Sequence, residues 1–311
     1  MGLPAPVETP ERNPAARRQH FRRVAIAAAL GFSAFMALLL VVDLGYIGEF
    51  LLNASPDRYR RFRENIFVAE TLHEVILSLG SATVTTALAL LVAVPAGYAL
   101  SRFRIRGKLL VDTLVDSAIV LPPLIMGLSL LVLLSVLRRA GEALGTPPDP
   151  AAGVPGRPNP VLNSFYEFFV YAKPGIVLAQ FSVATALAVR SMKAAFDAAD
   201  RRVEDVALTL GCTRFGAFWR AALPQARSGL LTGAVVAWSY TVGLFAPVAI
   251  LAGTVKGRTA VLPTRAYMEV SNGYLEEALA LTLVMAVIAM TVLIALKLLA
   301  RRNAAGAEVS L

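Results

Sequence analysis

The chain is poor in charge. Only 16% of its 311 residues are Asp, Glu, Lys or Arg, while 57% are apolar. Soluble domains carry about a quarter charged residues, so an ordinary water-soluble globule is excluded. Cysteine is nearly absent: Cys212 stands alone, no disulfide can form within the chain, and Cys212 lacks the neighbours of a metal site. There are two histidines, and His73 has no Asp, Cys or second His at ligand spacing. The phosphate-binding pattern Gly-x-x-x-x-Gly-Lys-Ser/Thr does not occur, which excludes nucleotide binding of that kind. The apolar stretches hold no nucleophile or metal constellation, which argues against an intramembrane enzyme. They also hold few charges and show no clear repeat, which argues against a self-contained secondary transporter.

Long apolar runs stand in place of the missing charge. Residues 24–42 are long enough, at about 1.5 Å per residue, to cross a hydrocarbon core of about 30 Å. This run reads as a retained helix rather than a cleaved leader, whose apolar region would be shorter and would end in a small-x-small site. Further spans are expected at 72–100, 109–137, 175–195, 230–252 and 279–300. The expected fold is all-α: a polytopic membrane protein of six transmembrane helices. Its expected divisions are a basic cytoplasmic tail at 1–23, a first helix at 24–44, a periplasmic connector at 45–71, a five-helix domain at 72–300 and a cytoplasmic tail at 301–311. The formal net charge of +9 then reflects basic residues anchoring loops, and nucleic acid is not an expected partner.

Several spans carry marks of irregularity. Pro95 and Gly97 predict a kink late in the second. Pro122, Pro123 and Gly127 break the third, and broken spans occur where backbone lines a cavity. Asp112 and Asp116, one helical turn apart, are expected to pair with the basic stretch that holds Arg102, Arg104, Arg106 and Lys108. Gln180 in the fourth span either lines a path or bonds to a neighbouring helix. In the fifth span, Gly229 and Gly233 predict close helix approach, and Ser239, Tyr240 and Thr241 put polar atoms near its middle. Pro122, Pro123, Gln180, Ser239, Tyr240 and Thr241 are the candidate path residues. The connector at 138–173 is irregular over 145–160, and its aromatic run, 165–171, suits a membrane interface or a docking surface. Residues 254–277 are expected to return to water.

The stretch 201–231 is too polar for a bilayer, yet spans flank it. Val203, Val206, Ala207 and Leu210 recur at helical spacing, and Glu204 and Asp205 lie in the first turn, where carboxylates suit the helix dipole. Gly211 stops that helix in a left-handed cap. A second short helix carries Phe215, Phe218 and Trp219 and is expected to end at Pro224. Three large rings at a membrane face call for a protein partner, the alternative being an amphipathic loop that rests on lipid headgroups.

This loop resembles the signature loop of ABC-importer permeases, whose pattern is Glu-Ala-Ala, three residues, Gly, nine residues, Ile-x-Leu-Pro. Asp205, Val206 and Ala207 stand at Glu-Ala-Ala, Gly211 at the Gly, and Ala221, Leu223 and Pro224 at Ile-x-Leu-Pro. The similarity runs from about residue 71 to 299. The third-span sequence IVLPPLIMGLSLLVLL and the later GRTAVLPTRAYMEVSNGYLEEALALTL are similar to molybdate- and sulfate-type permeases, although Gly243-Leu244-Phe245-Ala246 replaces their Gly-Glu-Phe-Gly. The resemblance implies the membrane subunit of an importer of molybdate, tungstate or sulfate. Iron(III), polyamines or small organic solutes are the alternative cargo. It implies a coupling role for Asp205, Ala207, Gly211, Phe215, Phe218, Trp219, Leu223 and Pro224. It also implies a separate ATPase subunit that holds ATP and Mg, no cofactor or metal on this chain, an extracytoplasmic solute-binding protein, and a second permease copy or paralogue.

Six spans put both termini on one side. That side, which includes 201–228, holds 18 Lys and Arg against 11 on the other. The excess places termini and loop in the cytoplasm of a cell inner membrane.

Overall fold

The computed structural model describes residues 14–66, 69–103, 106–145 and 158–308. Residues 1–13 of the N-terminal tail, most of the irregular stretch at 145–160, and Arg104 lie outside the described residues. Among the described residues the fold is helical without strands. It divides into two compact units, Met1–Ser55 and Pro56–Leu311.

The first unit is the helix α1, Pro14–Asn53. From Val24 to Leu52 it turns apolar side chains in every direction, which suits a lipid surrounding. It continues about ten residues past the expected run. Gly45 and Gly48 do not interrupt it, and it ends at Asn53. The expected connector is therefore mostly helical. After two residues the second unit opens with α2, Pro56–Ile66, a basic helix that buries Phe62 and Ile66.

The core of the second unit is α3, Ala69–Arg102, packed along α7, Lys173–Ala198. α3 runs through Pro95 as one helix. Gly97 serves the packing: a Cβ there would stand 2.7 Å from Met192 Cβ. Small residues, among them Ala89, Ala93, Ala184 and Ala188, line the seam and let the backbones approach. The third expected span is cut where the proline pair requires. α4, Lys108–Val120, stops at Leu121 and Pro122, and α5, Pro123–Ala143, restarts with proline in its first turn. A short amphipathic helix, α6, Pro160–Phe169, leads into α7 and exposes Phe165 and Phe168.

Beyond the polar loop, α11, Arg227–Val242, lies on α7. A Cβ on Gly229 would stand 2.0 Å from Ala195 Cβ, and one on Gly233 would stand 3.2 Å from Ser191 Cβ. The close approach expected of this glycine pair is present. The fifth span is itself cut at Gly243–Phe245, and α12, Ala246–Leu251, completes it. Among the described residues five helices are individually long and apolar enough to cross a membrane, and the fifth expected span is divided between α11 and α12. α14, Leu275–Glu308, closes the chain.

Residues 254–277 depart from the expected hydrated connector. They hold α13, Leu262–Ser271, whose charged side is turned inward: Arg265 and Glu269 are buried while Tyr267 and Val270 are exposed. The charges are tolerated because they pair with one another, with Glu74 and with Lys256.

Candidate functional site

The polar loop is a rigid knob. α8, Arg201–Thr209, begins at Asp200, whose carboxylate accepts from the Arg202 N–H at 2.9 Å. It ends in a reciprocal cap: the Gly211 N–H donates to Leu208 O at 3.0 Å, and the Cys212 N–H donates to Ala207 O at 3.0 Å. Gly211 has φ +89°, the left-handed conformation expected of it. Thr213 then accepts from the Gly216 N–H at 3.1 Å and starts α9, Arg214–Ala217. The path widens into a π-helical turn, Phe218–Ala222, and tightens again in α10, Leu223–Gln225. Pro224 therefore does not end the second helix. The ladder changes spacing just before it, so its missing N–H interrupts no regular bond, and the helical path continues to Ala226.

The knob is held from behind by charge and aromatic packing. Arg102, at the end of α3, gives its Nε to Glu204 Oε1 at 2.8 Å and its Nη2 to Ala199 O at 3.0 Å. Tyr98 gives its hydroxyl to Glu204 Oε2 at 3.0 Å. Arg201 returns the contact to Ser101 O at 2.7 Å, and Ser101 bonds Asp197 at 2.6 Å. The Phe218 ring lies 4.8 Å from that of Tyr98, edge to face, and Leu223 packs into the same cluster. Between α3 and the knob lies a cavity of about 570 Å³ lined by Pro95, Tyr98, Phe103, Glu204, Leu208 and Phe215 among others.

The outer face is apolar and bare. Leu210 is 80% exposed, Phe215 72% and Trp219 53%, and Val203 and Val206 join them. The rings of Phe215 and Trp219 meet edge to face at 6.1 Å. Of the three aromatics expected to be left in water, Phe218 faces inward and two remain. Asp205 and Pro224 are exposed, and Ala207 is half-buried. The sequence alone did not distinguish Glu204 from Asp205. Its signal was the pairing of Tyr98 and Arg102, which stand four residues apart and so share one face of α3.

The candidate path residues separate. Gln180 is buried, accepts from Thr85 Oγ1 at 3.0 Å and donates to Thr241 O at 3.2 Å, tying α7 to α3 and α11. Thr241 is buried with it, and the Ser239 hydroxyl is buried without a partner. Pro122 and Tyr240 are exposed and Pro123 is half-buried. The helices that follow the two breaks, α5 and α12, pack together near their starts, since a Cβ on Gly127 would be 2.6 Å from Pro247 Cα. Asp112 and Asp116 do not depend on the basic stretch. They pair with Lys193 at 2.8 Å and Arg190 at 3.3 Å on α7, which passes beside α4. Among the described residues no three His, Cys, Asp or Glu side chains gather as metal ligands would.

Residues 86–305 match the family described as binding-protein-dependent transport system inner membrane component. The molybdate/tungstate transport system permease protein of Pyrococcus abyssi is 31% identical over 55% of this chain, and the match spans 59% of that relative's length. A probable molybdenum ABC transporter permease protein of Haloferax volcanii is 31% identical over 78% of this chain and 81% of its own. A crystal structure of a bacterial ABC transporter involved in the import of the acidic polysaccharide alginate contains a chain of the same fold. Its TM-score is 0.61 at 14% identity, covering 92% of this chain and 99% of that one. A knob braced by the end of one span, broken spans that pack together, and a family match over most of the second unit agree, and the chain belongs to the inner membrane components of binding-protein-dependent transport systems.

Proposed function

We propose that this permease serves an ATP-driven importer of a tetrahedral oxyanion, molybdate or tungstate in the first place. The observation that carries the coupling half of this reading is the bare Phe215–Trp219 face on a loop braced by Arg102, Glu204 and Tyr98. An apolar face of this kind on a rigid mount suits the groove of a soluble ATPase subunit. That subunit holds ATP and Mg, and the permease binds neither. A second copy or a paralogous permease completes the path, and an extracytoplasmic binding protein delivers the cargo. Loop and termini face the cytoplasm, in keeping with the basic excess on that side.

The cargo half is supported by the similarity to the molybdate/tungstate and molybdenum permeases. The departure at Leu244, a buried side chain where those permeases carry an acid, weakens the cargo half and leaves the coupling half untouched.

The test is reconstitution with the ATPase subunit and binding protein of the same transport system. ATP hydrolysis and molybdate uptake should rise together when molybdate-loaded binding protein is added. Uptake of another solute class, with none of molybdate, would overturn the cargo assignment and leave the coupling assignment standing.

A further inference from the structure

α3 carries a buried ion pair at each end. At the loop end it is Arg102–Glu204, and at the far end it is Glu74–Arg265. The two α3 residues are 28 positions apart, about 42 Å along a straight helix. Charged pairs this far from water require a reason, because desolvation opposes them and apolar side chains would pack as well.

The far pair fastens α13 to α3. Arg265 Nη1 lies 2.6 Å from Glu74 Oε2 and 2.8 Å from Thr71 Oγ1, and Nη2 donates to Asn65 O. The Leu262 N–H, in the first turn of α13, donates to Ser78 Oγ at 2.8 Å. Glu269 stands 3.7 Å from Arg265 Nε and is met by Lys256 at 3.0 Å. One oxygen of Glu74 is buried without a hydrogen bond from a described residue.

α13 presents Tyr267 on its opposite face, and the Tyr267 ring stacks on Phe245 at 5.0 Å with an interplanar angle of 27°. Phe245 lies in the break between α11 and α12. α12, which starts at that break, packs on α5 through Pro247 and Gly127, and α5 starts at the other break. One continuous line of contact thus runs from the knob through α3 and α13 to the broken backbone.

We propose that α3 is the strut that carries movement of the loop to the helix breaks, and that Arg265, clamped by Glu74, is the positioning residue that makes α13 and Tyr267 follow it. This rests on the coupling role given to the loop above. Because α3 and α13 are joined at Ser78, Glu74 and Thr71, they move as one body. Loosening the clamp leaves the loop docked and the ATPase running, but the breaks no longer answer.

The experiment uses the full complex with ATPase and binding protein. Glu74→Gln keeps the volume and removes the charge. Arg265→Gln removes the fork, and Arg265→Lys keeps the charge. Glu74→Gln and Arg265→Gln should retain the ATPase subunit in pull-downs and retain basal hydrolysis. They should lose stimulation by loaded binding protein, and lose uptake, at least tenfold. Arg265→Lys should recover part of both. Full stimulation and uptake in assembled Glu74→Gln and Arg265→Gln complexes overturns the strut. Loss of the ATPase subunit from the Phe215→Ala complex is the separate mark that the loop docks it. Its retention, with normal uptake, overturns the coupling role itself.

A second measurement does not depend on those variants folding. In a Cys212→Ser background, spin labels at Leu72→Cys and Val270→Cys, both at exposed positions, report the α3–α13 distance. It should stay unchanged between nucleotide-free and ATP-bound complexes. A shift in that distance on ATP binding overturns the proposal.

Discussion

Arg102 and Glu204 form an ion pair 2.7 Å apart, with side chains 7% and 10% exposed, at the junction of α3 and α8. Tyr98 supplies the second hydrogen bond to the same carboxylate. The neighbouring Asp205 is exposed. The acid that secures the loop is therefore one position before the acid that the signature pattern points to.

This predicts an asymmetry between adjacent carboxylates. Glu204→Ala leaves the Arg102 charge buried and unpaired, a loss of about 3–5 kcal/mol. It should lower the thermal stability of the detergent-solubilised chain and strongly reduce uptake. Asp205→Asn should change stability by about 0.5 kcal/mol or less, as expected for an exposed site. Thermal unfolding followed beside uptake checks both. Equal effects at the two positions would contradict the bracing role of Glu204.

A second prediction concerns helix approach. Gly229→Leu and Gly97→Val place side chains where Ala195 and Met192 already sit. Overpacking of this kind costs about 1–3 kcal/mol and separates α7 from its neighbours. Gly80→Ala, on the same α3, meets nothing within 4 Å and should be neutral. Yield of monodisperse protein after solubilisation separates the three.

Gln180 gives a third. Gln180→Leu leaves the Thr85 hydroxyl without its partner in the core, while the Thr241 carbonyl keeps the Leu244 N–H at 3.2 Å. Each buried group left unpaired costs about 1–3 kcal/mol. Stability should fall by that order, and Gln180→Glu should not restore it, since it puts an ionisable carboxyl at a position 1% exposed. Equal stability of Gln180→Leu and the parent would remove Gln180 from the core contact.

Topology supplies a fourth. In a Cys212→Ser background, cysteine at the exposed Asn272 should react with an impermeant thiol reagent in intact cells, and cysteine at the exposed Gly107 should not. The reverse pattern would invert the orientation.

Much of this was legible in the sequence because it depends on local chemistry. Apolar run length gave the helical class, Pro122-Pro123 gave one break, Gly211 gave the cap, and Gly229 and Gly233 gave the close approach. What escaped depends on partners far away in the chain. Arg265 and Glu74 are 191 residues apart, so α13 looked like a hydrated connector until its charges were seen to pair inward. Asp112 and Asp116 looked toward the nearby basic stretch, whereas α7 brought Lys193 and Arg190 closer. Phe218 could not be told from Phe215 and Trp219, because a π turn changes the periodicity that assigns faces.

The central claim is that the loop's outer face is a docking surface for the ATPase subunit. The most direct measurement is the affinity of the ATPase subunit for the purified chain in lipid nanodiscs, for the parent, Trp219→Ala, Phe215→Ala and Gly211→Val. Removing a buried interface aromatic costs about 2 kcal/mol or more, so each ring deletion should weaken binding about thirtyfold. A Cβ on Gly211 meets nothing within 4 Å, yet valine at φ +89° is strained, so Gly211→Val should misdirect the second helix and weaken binding as much. All three should insert at parental levels, because the altered positions are exposed on the loop. Parental affinity in Trp219→Ala and Gly211→Val together would contradict the account.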